Sequence, residues 1–249
     1  MKFTIGFFAA LFISALLVPW VKKLAIKLGA VDNPKEATRK IHKKVMARGG
    51  GIAIYVSFVL VSIALLATFP KEFIGLVVAG TMVLIDDIKR LSPWVKLGGQ
   101  VLAALIASIG FGITISSITN PFGNTLVFDQ PTTQLVVFGL HLSFNWIAVA
   151  LAVSWLVGMT NTINFLDGID GLSGGVSAIA AGIIFLLSIG TKVNQPETAL
   201  VSIILMGGCV GFLIYNFYPA KIFNGDSGAY FLGMTLGILA IFSGAKLAT

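Results

Sequence analysis

Residues 142–190 read LSFNWIAVALAVSWLVGMTNTINFLDGIDGLSGGVSAIAAGIIFLLSIG. The stretches 142–160 and 171–190 carry no Asp, Glu, Lys or Arg, and each comes close to the roughly 20 apolar residues that cross a bilayer core. Between them stand Asn161, Asn164, Asp167 and Asp170, a polar group at every third position. Two spans joined by so short a polar turn place that turn at one membrane face. Comparable runs lie outward of this pair at 3–20, 50–68, 73–86, 97–118, 199–217 and 228–245. The pattern predicts an all-α, polytopic membrane bundle of about eight transmembrane helices.

Composition agrees. Hydrophobic residues make up 57% of the chain, charged residues 11%, and the mean hydropathy is +0.96, which excludes an ordinary soluble domain. The first run, Phe3 to Val18, has only Lys2 before it and Lys22, Lys23 and Lys27 after it. With no small-residue cleavage pattern before Pro19, it reads as a retained helix and not as a signal peptide.

The net charge of +7 is concentrated. Lys22, Lys23, Lys27, Lys35, Arg39, Lys40, Lys43, Lys44 and Arg48 all fall between the first two spans, out of 17 basic residues in the chain. Lys89, Arg90, Lys96 and Lys221 fall on the same side if the spans alternate, against Lys2, Lys71, Lys192 and Lys246 on the other. Positive residues mark the cytoplasmic side, so the N-terminus is expected outside. The basic loop also suits anionic lipid headgroups; without a soluble basic domain, no nucleic-acid partner is expected. Cys209 stands alone among Gly207, Gly208 and Gly211, residues that permit close helix packing. The segment 119–141, with Asn120-Pro121 and Gln130-Pro131 around a β-prone Thr125–Phe128 run, is expected to form a short hairpin.

Asp86, Asp87, Asp167, Asp170 and Asp226 each lie at the end of an apolar run, and alternation puts all of them on the basic side. Carboxylates are costly near hydrocarbon, so their clustering at one interface marks a functional site. The adjacent pair Asp86-Asp87 can hold a divalent cation together with substrate phosphates, or divide metal binding from base chemistry. Mg²⁺ suits this, taking one or two carboxylates and leaving its other positions to water and phosphate. In Asn161-Thr-Ile-Asn164-Phe-Leu-Asp167-Gly168-Ile-Asp170-Gly171-Leu172, the two Asn share a helix face while Asp170 would lie opposite Asn161. Gly168 and Gly171 let the backbone turn both carboxylates towards one cavity, and the next helix would aim free N–H groups there for a diphosphate. The alternative is that these residues only cap two helices. In Phe223-Asn-Gly-Asp226-Ser-Gly228, Asp226 either caps the last span or approaches a metal between glycines; Phe223 is either a stacking face for a base or an interfacial aromatic.

These motifs resemble the polyprenyl-phosphate N-acetylhexosamine-1-phosphate transferases. The resemblance rests on Asp32-Asn-Pro34 with Arg39-Lys40-Ile-His42 and Arg48-Gly-Gly-Gly51, on Asp86-Asp87, on Asn161 to Leu172, and on Asn224 to Gly228, four motifs in order over almost the whole chain. Within the family the first loop looks like the N-acetylglucosamine branch, which primes teichoic acid or O-antigen synthesis, more than the UDP-muramoyl-pentapeptide branch of peptidoglycan synthesis. The resemblance implies transfer of a sugar-1-phosphate from a UDP-N-acetylhexosamine to undecaprenyl phosphate with release of UMP, at a cytoplasm-facing site in the cell membrane. It implies Mg²⁺ at Asp226, and Asp86 and Asp87 in metal binding or activation of the lipid phosphate. Asn161, Asn164, Asp167 and Asp170 match donor-site positions, Phe223 a position against uracil, and Lys43 and Arg48 loop cations near the diphosphate. A homodimer is also implied.

The pattern departs from the family in places. Arg90 stands where a third acid is common, and Ala47 where a proline precedes Arg48. Relatives continue through further spans with a histidine-bearing loop, whereas His42 and His141 are the histidines here. Residues 1–249 are therefore expected to be one transmembrane transferase domain lacking its C-terminal spans. An ion-coupled transporter is the rival from another class, disfavoured because its aspartates would sit near the midplane on broken helices. A noncatalytic membrane scaffold is another. Phosphatidyltransferases using CDP-alcohols share Asp-Gly motifs, but theirs do not continue as Gly171-Leu-Ser-Gly174.

Overall fold

A computed structural model describes residues 1–32, 45–66, 73, 77–78, 92–118, 123, 125–128, 130, 132–137, 140–191 and 193–245. Among these, helix α1 (Lys2–Lys27) leads through the paired strands β1 (Val31–Asp32) and β2 (Met46–Ala47) to α2 (Gly51–Leu65). Helix α3 (Pro93–Leu105) continues into a π-helical turn, Ile106–Gly110. Two antiparallel hairpins follow, β3 (Ser117–Ile118) with β4 (Leu126–Val127), and β5 (Thr133–Val137) with β6 (Leu140–Phe144). Then come α4 (Trp146–Leu166), α5 (Leu172–Ile189), α6 (Pro196–Asn216) and α7 (Asp226–Ala245).

Among the described residues, six helices are long and apolar enough to cross a membrane: Lys2–Lys27, Pro93–Gly110, Trp146–Leu166, Leu172–Ile189, Pro196–Asn216 and Asp226–Gly244. The run predicted at 50–68 is the shorter α2. Of the run predicted at 73–86, only Phe73, Val77 and Val78 are described, all helical; the rest lies outside the described residues.

Several boundaries differ from the sequence reading: α1 runs to Lys27 and not to 20, so Lys22, Lys23 and Lys27 ride on the helix and not in the loop after it. Residues 142–144 belong to β6 and not to the fifth predicted span, because Asn145 caps α4: its Oδ1 accepts from the N–H groups of Ile147 (2.8 Å) and Ala148 (3.1 Å). The fourth span ends by Gly110, where the π turn and Gly112 (φ +73°) break the helix, and Ser117–Ile118 is strand. The hairpin expected within 119–141 is present as two: β4 lies in that segment and pairs back to β3, and β5 pairs with β6, which runs past it to Phe144.

Small residues set the helix spacing. The buried face of α1 carries Gly6, Ala10 and Ser14 at four-residue intervals, and α6 meets it with Gly207 and Gly211. A Cβ on Gly207 would strike the carbonyl of Phe7, and one on Gly211 the carbonyl of Leu11. Backbones this close gain dispersion contacts where lipid supplies no hydrophobic drive between helices. Helix α7 is apolar on every side and packs at the centre: Phe231, Leu232, Met234 and Ile238 are wholly buried. Tyr55 and Phe58 of α2 set their rings edge-on to Phe231, and Trp155 of α4 donates its indole N–H to the Gly237 carbonyl at 3.1 Å. The centre of the bundle thus fixes where α7 begins, and α7 begins with Asp226.

Candidate active site

At one end of the bundle the C-terminal ends of α1, α4 and α6 meet the N-terminal ends of α2, α3, α5 and α7. The Asp226 carboxylate lies between two neighbours. Its Oδ2 accepts from Lys96 Nζ at 2.6 Å and its Oδ1 from Asn164 Nδ2 at 3.1 Å. Both ion-pair side chains are largely covered, 20% exposed for Lys96 and 27% for Asp226. The charge of Arg48 also bears on this carboxylate, and the start of α7 favours an anion there.

The turn after α4 is tied to the segment before α7. Asp167 accepts from the Ser173 hydroxyl (2.6 Å) through one oxygen and from the Gly225 N–H (3.0 Å) through the other. Asp170 accepts from the Ala220 N–H at 2.9 Å. Asn216, 2% exposed, accepts from the Gly171 N–H (3.1 Å) and donates to the Ile222 carbonyl (2.9 Å). Gly171 (φ +75°) and Gly225 (φ +85°) adopt the left-handed backbone these ties require.

The expected turn at Gly171 is therefore present, whereas Gly168 is not left-handed. The expected free N–H groups opening α5 are partly engaged: Gly171 donates to Asn216, and Leu172 to the Ile169 carbonyl at 3.1 Å. Asp167 also sets a carboxylate against that helix start through Ser173, so an anion placed there would meet another anion.

Strands β1 and β2 pin the base of the basic loop to the same place. Arg48 N–H donates to the Ala30 carbonyl, Phe223 N–H to Ala47, and Gly50 N–H to Phe223, each at 2.9 Å. Gly51 and Gly228 cross so closely that neither has room for a Cβ; each would strike the other's backbone and Asn224. Phe223 is half-buried beside this crossing. Asn161 donates to Gln100 Oε1 (2.7 Å) and to the Val157 carbonyl (2.8 Å).

The arrangement gathers Arg48, Asn161, Asn164, Asp167, Asp170, Phe223 and Asp226 at one end. Lys43, Asp86 and Asp87 lie outside the described residues. Sequence reasoning missed Lys96, counted only as a charge, and with it Gln100, Ser173 and Asn216. Lys96 and Gln100 stand one helical turn apart at the start of α3, a spacing that puts both on one face and was the available signal.

No group of three or more His, Cys, Asp or Glu side chains capable of holding a metal occurs among the described residues. The Asp226 carboxylate offers two hard oxygens, the kind that suits Mg²⁺ and not a soft metal, while Asn164 turns its Nδ2 towards it.

Comparison with known proteins places these residues in a family. Residues 70–244 match the model of glycosyl transferase family 4. The chain is 34% identical over 255 residues to the probable undecaprenyl-phosphate N-acetylglucosaminyl 1-phosphate transferase of Bacillus subtilis, covering 100% of this chain and 65% of that protein. It is 34% identical over 255 residues to the decaprenyl-phosphate N-acetylglucosaminephosphotransferase of Mycolicibacterium smegmatis, covering 94% and 58%. It is also 37% identical over 186 residues to the phospho-N-acetylmuramoyl-pentapeptide-transferase of Moorella thermoacetica, covering 74% and 53%. The chain thus spans less than two thirds of the length of these relatives. With a match over most of its own length, in a membrane bundle whose polar residues converge at one end, this chain belongs to glycosyl transferase family 4.

Proposed function

We propose that the chain transfers N-acetylglucosamine-1-phosphate from UDP-N-acetylglucosamine to undecaprenyl phosphate, releasing UMP, as the first membrane step of a cell-wall glycan such as teichoic acid. The observation that carries this reading is the convergence of Lys96, Asn164 and the braced Asp167–Gly225 turn on Asp226 at one end of a membrane bundle. The name of one relative gives this acceptor, and that of a second gives N-acetylglucosamine phosphotransfer with decaprenyl phosphate. Residues 1–249 act as one transmembrane domain of eight spans, the N-terminus outside and the site facing the cytoplasm. The excess of lysine and arginine at that end supports this orientation. A homodimer is carried from the family resemblance alone.

Phosphoryl transfer needs alignment and charge neutralisation more than covalent help from the protein. A phosphate oxygen of the lipid bonds to the β-phosphorus of the donor as the bond from that phosphorus to the UMP oxygen breaks. Asp226 would hold Mg²⁺, with Asp86 and Asp87 contributing to the metal or activating the lipid phosphate. When bound, Mg²⁺ would neutralise charge gathering on the departing phosphate. Arg48 and Lys96, and by the family resemblance Lys43, would supply cations to the diphosphate. Phe223 offers a face to uracil, and Asn161 and Asn164 offer amides to the donor. Asp167 and Asp170 brace the turn before α5 against the segment before α7, and each keeps lone pairs available to the donor. A site at the membrane surface lets the prenyl tail stay in lipid while its phosphate meets a water-soluble nucleotide.

A UDP-muramoyl-pentapeptide donor is the rival within the family, favoured by the third relative's name. Offering both donors to the protein in lipid nanodiscs, with undecaprenyl phosphate and Mg²⁺, separates them by mass spectrometry of the lipid product. Undecaprenyl-diphosphate-N-acetylglucosamine is expected. A product bearing only the muramoyl-pentapeptide contradicts the assignment.

A further inference from the structure

The place where a cation would meet Asp226 already holds a positive charge. Lys96 Nζ lies 2.6 Å from Asp226 Oδ2, and both side chains are mostly covered. Lys96 reaches Asp226 from the first turn of α3, 130 residues away in sequence. Asn164 takes the other oxygen, so both carboxylate oxygens are engaged by the protein itself. An ammonium and a divalent cation at one oxygen repel strongly where water is scarce. A four-carbon stem lets the ammonium swing while its backbone stays fixed.

We propose that Lys96 is the resting counter-ion of Asp226, holding the oxygen a divalent cation takes and leaving it for the donor diphosphate when cation and nucleotide sugar bind. The inference rests on the reading of Asp226 as a metal ligand. In the resting protein Lys96 offsets the charge of the Asp226 carboxylate at the membrane face. On donor binding the same charge is delivered to the phosphates. Lys96 thereby weakens metal binding in the absence of donor and favours metal and donor arriving together, a coupling between two sites in the thermodynamic sense.

The test is Mn²⁺ binding to the full chain in nanodiscs, followed by electron paramagnetic resonance without donor. It compares the wild type with Lys96→Met, Lys96→Arg and Asp226→Asn. Lys96→Met keeps the stem and removes the charge, and Lys96→Gln serves if the Met variant does not fold. The uncharged variants should bind Mn²⁺ at least about tenfold more tightly than wild type, the scale on which a like charge at contact distance acts. Lys96→Arg should bind no more tightly than wild type. Turnover should fall in the uncharged variants although metal binding tightens, opposite directions that a merely structural lysine does not produce. Unchanged or weaker Mn²⁺ binding in the uncharged variants, with binding still lost in Asp226→Asn, overturns the role of Lys96 and leaves the metal assignment standing. Binding that persists in Asp226→Asn, or no binding to any of these proteins, overturns both.

Discussion

At the scale of single residues, the candidate site depends on carboxylates held by neighbours that belong to other elements. Asp226 is the sharpest case, with a lysine on one oxygen and an amide on the other. Asp226→Asn changes the charge and almost no volume, so the fold should survive while turnover disappears; a melting curve beside an assay of the same preparation checks both. Asp167 has a bracing part as well, since it takes the Gly225 N–H that sets the entry to α7. Asp167→Ala leaves that donor unsatisfied and should cost about 1–3 kcal/mol, the range for a buried group deprived of its partner. It would appear as a lower melting temperature with the same helical content. The sequence marked both residues because a carboxylate at the end of an apolar run stands out wherever it is. It did not mark Lys96, Gln100 or Asn216 as site residues, because each is an ordinary polar residue near a helix end until its partner is known. Those partners lie 130, 61 and 45 residues away.

At the scale of elements, helix ends are aimed by close backbone crossings. Gly207 and Gly211 seat α6 against the backbone of α1, and Gly51 and Gly228 seat the start of α2 against the start of α7. Gly211→Val should force α1 and α6 apart and cost about 1–3 kcal/mol as overpacking; the check is thermal stability in detergent by tryptophan fluorescence. Gly158→Val, whose Cβ meets nothing within 4 Å, should be nearly silent in the same measurement. The glycines around Cys209 were legible as packing residues from their spacing alone. The start of α4 was not. Leu142–Phe144 is as apolar as the helix that follows, and the boundary is set by Asn145 turning its side chain back onto the backbone. Hydropathy does not register that local event.

At the scale of the whole molecule, the polar ends of seven helices among the described residues gather at one pole, and the β3–β4 and β5–β6 hairpins follow the opposite end of α3. If the polar pole faces the cytoplasm, a cysteine at position 27 and one at position 197 must react from opposite sides of a sealed vesicle. The native Cys209 is wholly buried and should stay silent towards a membrane-impermeant maleimide. In vesicles whose outer face corresponds to the cell exterior, Glu197→Cys should label without permeabilisation and Lys27→Cys only after it; the reverse would invert the topology. The all-α membrane bundle was legible because bilayer thickness acts on long stretches, over which single errors average out. The internal wiring of the pole was not, because it consists of single hydrogen bonds. The claim that joins these scales is that the pole built around Asp226 transfers a sugar-1-phosphate to a lipid phosphate. UMP release by the purified chain, given UDP-N-acetylglucosamine, undecaprenyl phosphate and Mg²⁺, tests it most directly. The account predicts release that stops when the lipid phosphate is omitted, when EDTA is added, or in Asp226→Asn. Release that continues without the lipid phosphate, or no release from folded wild-type protein, would contradict it.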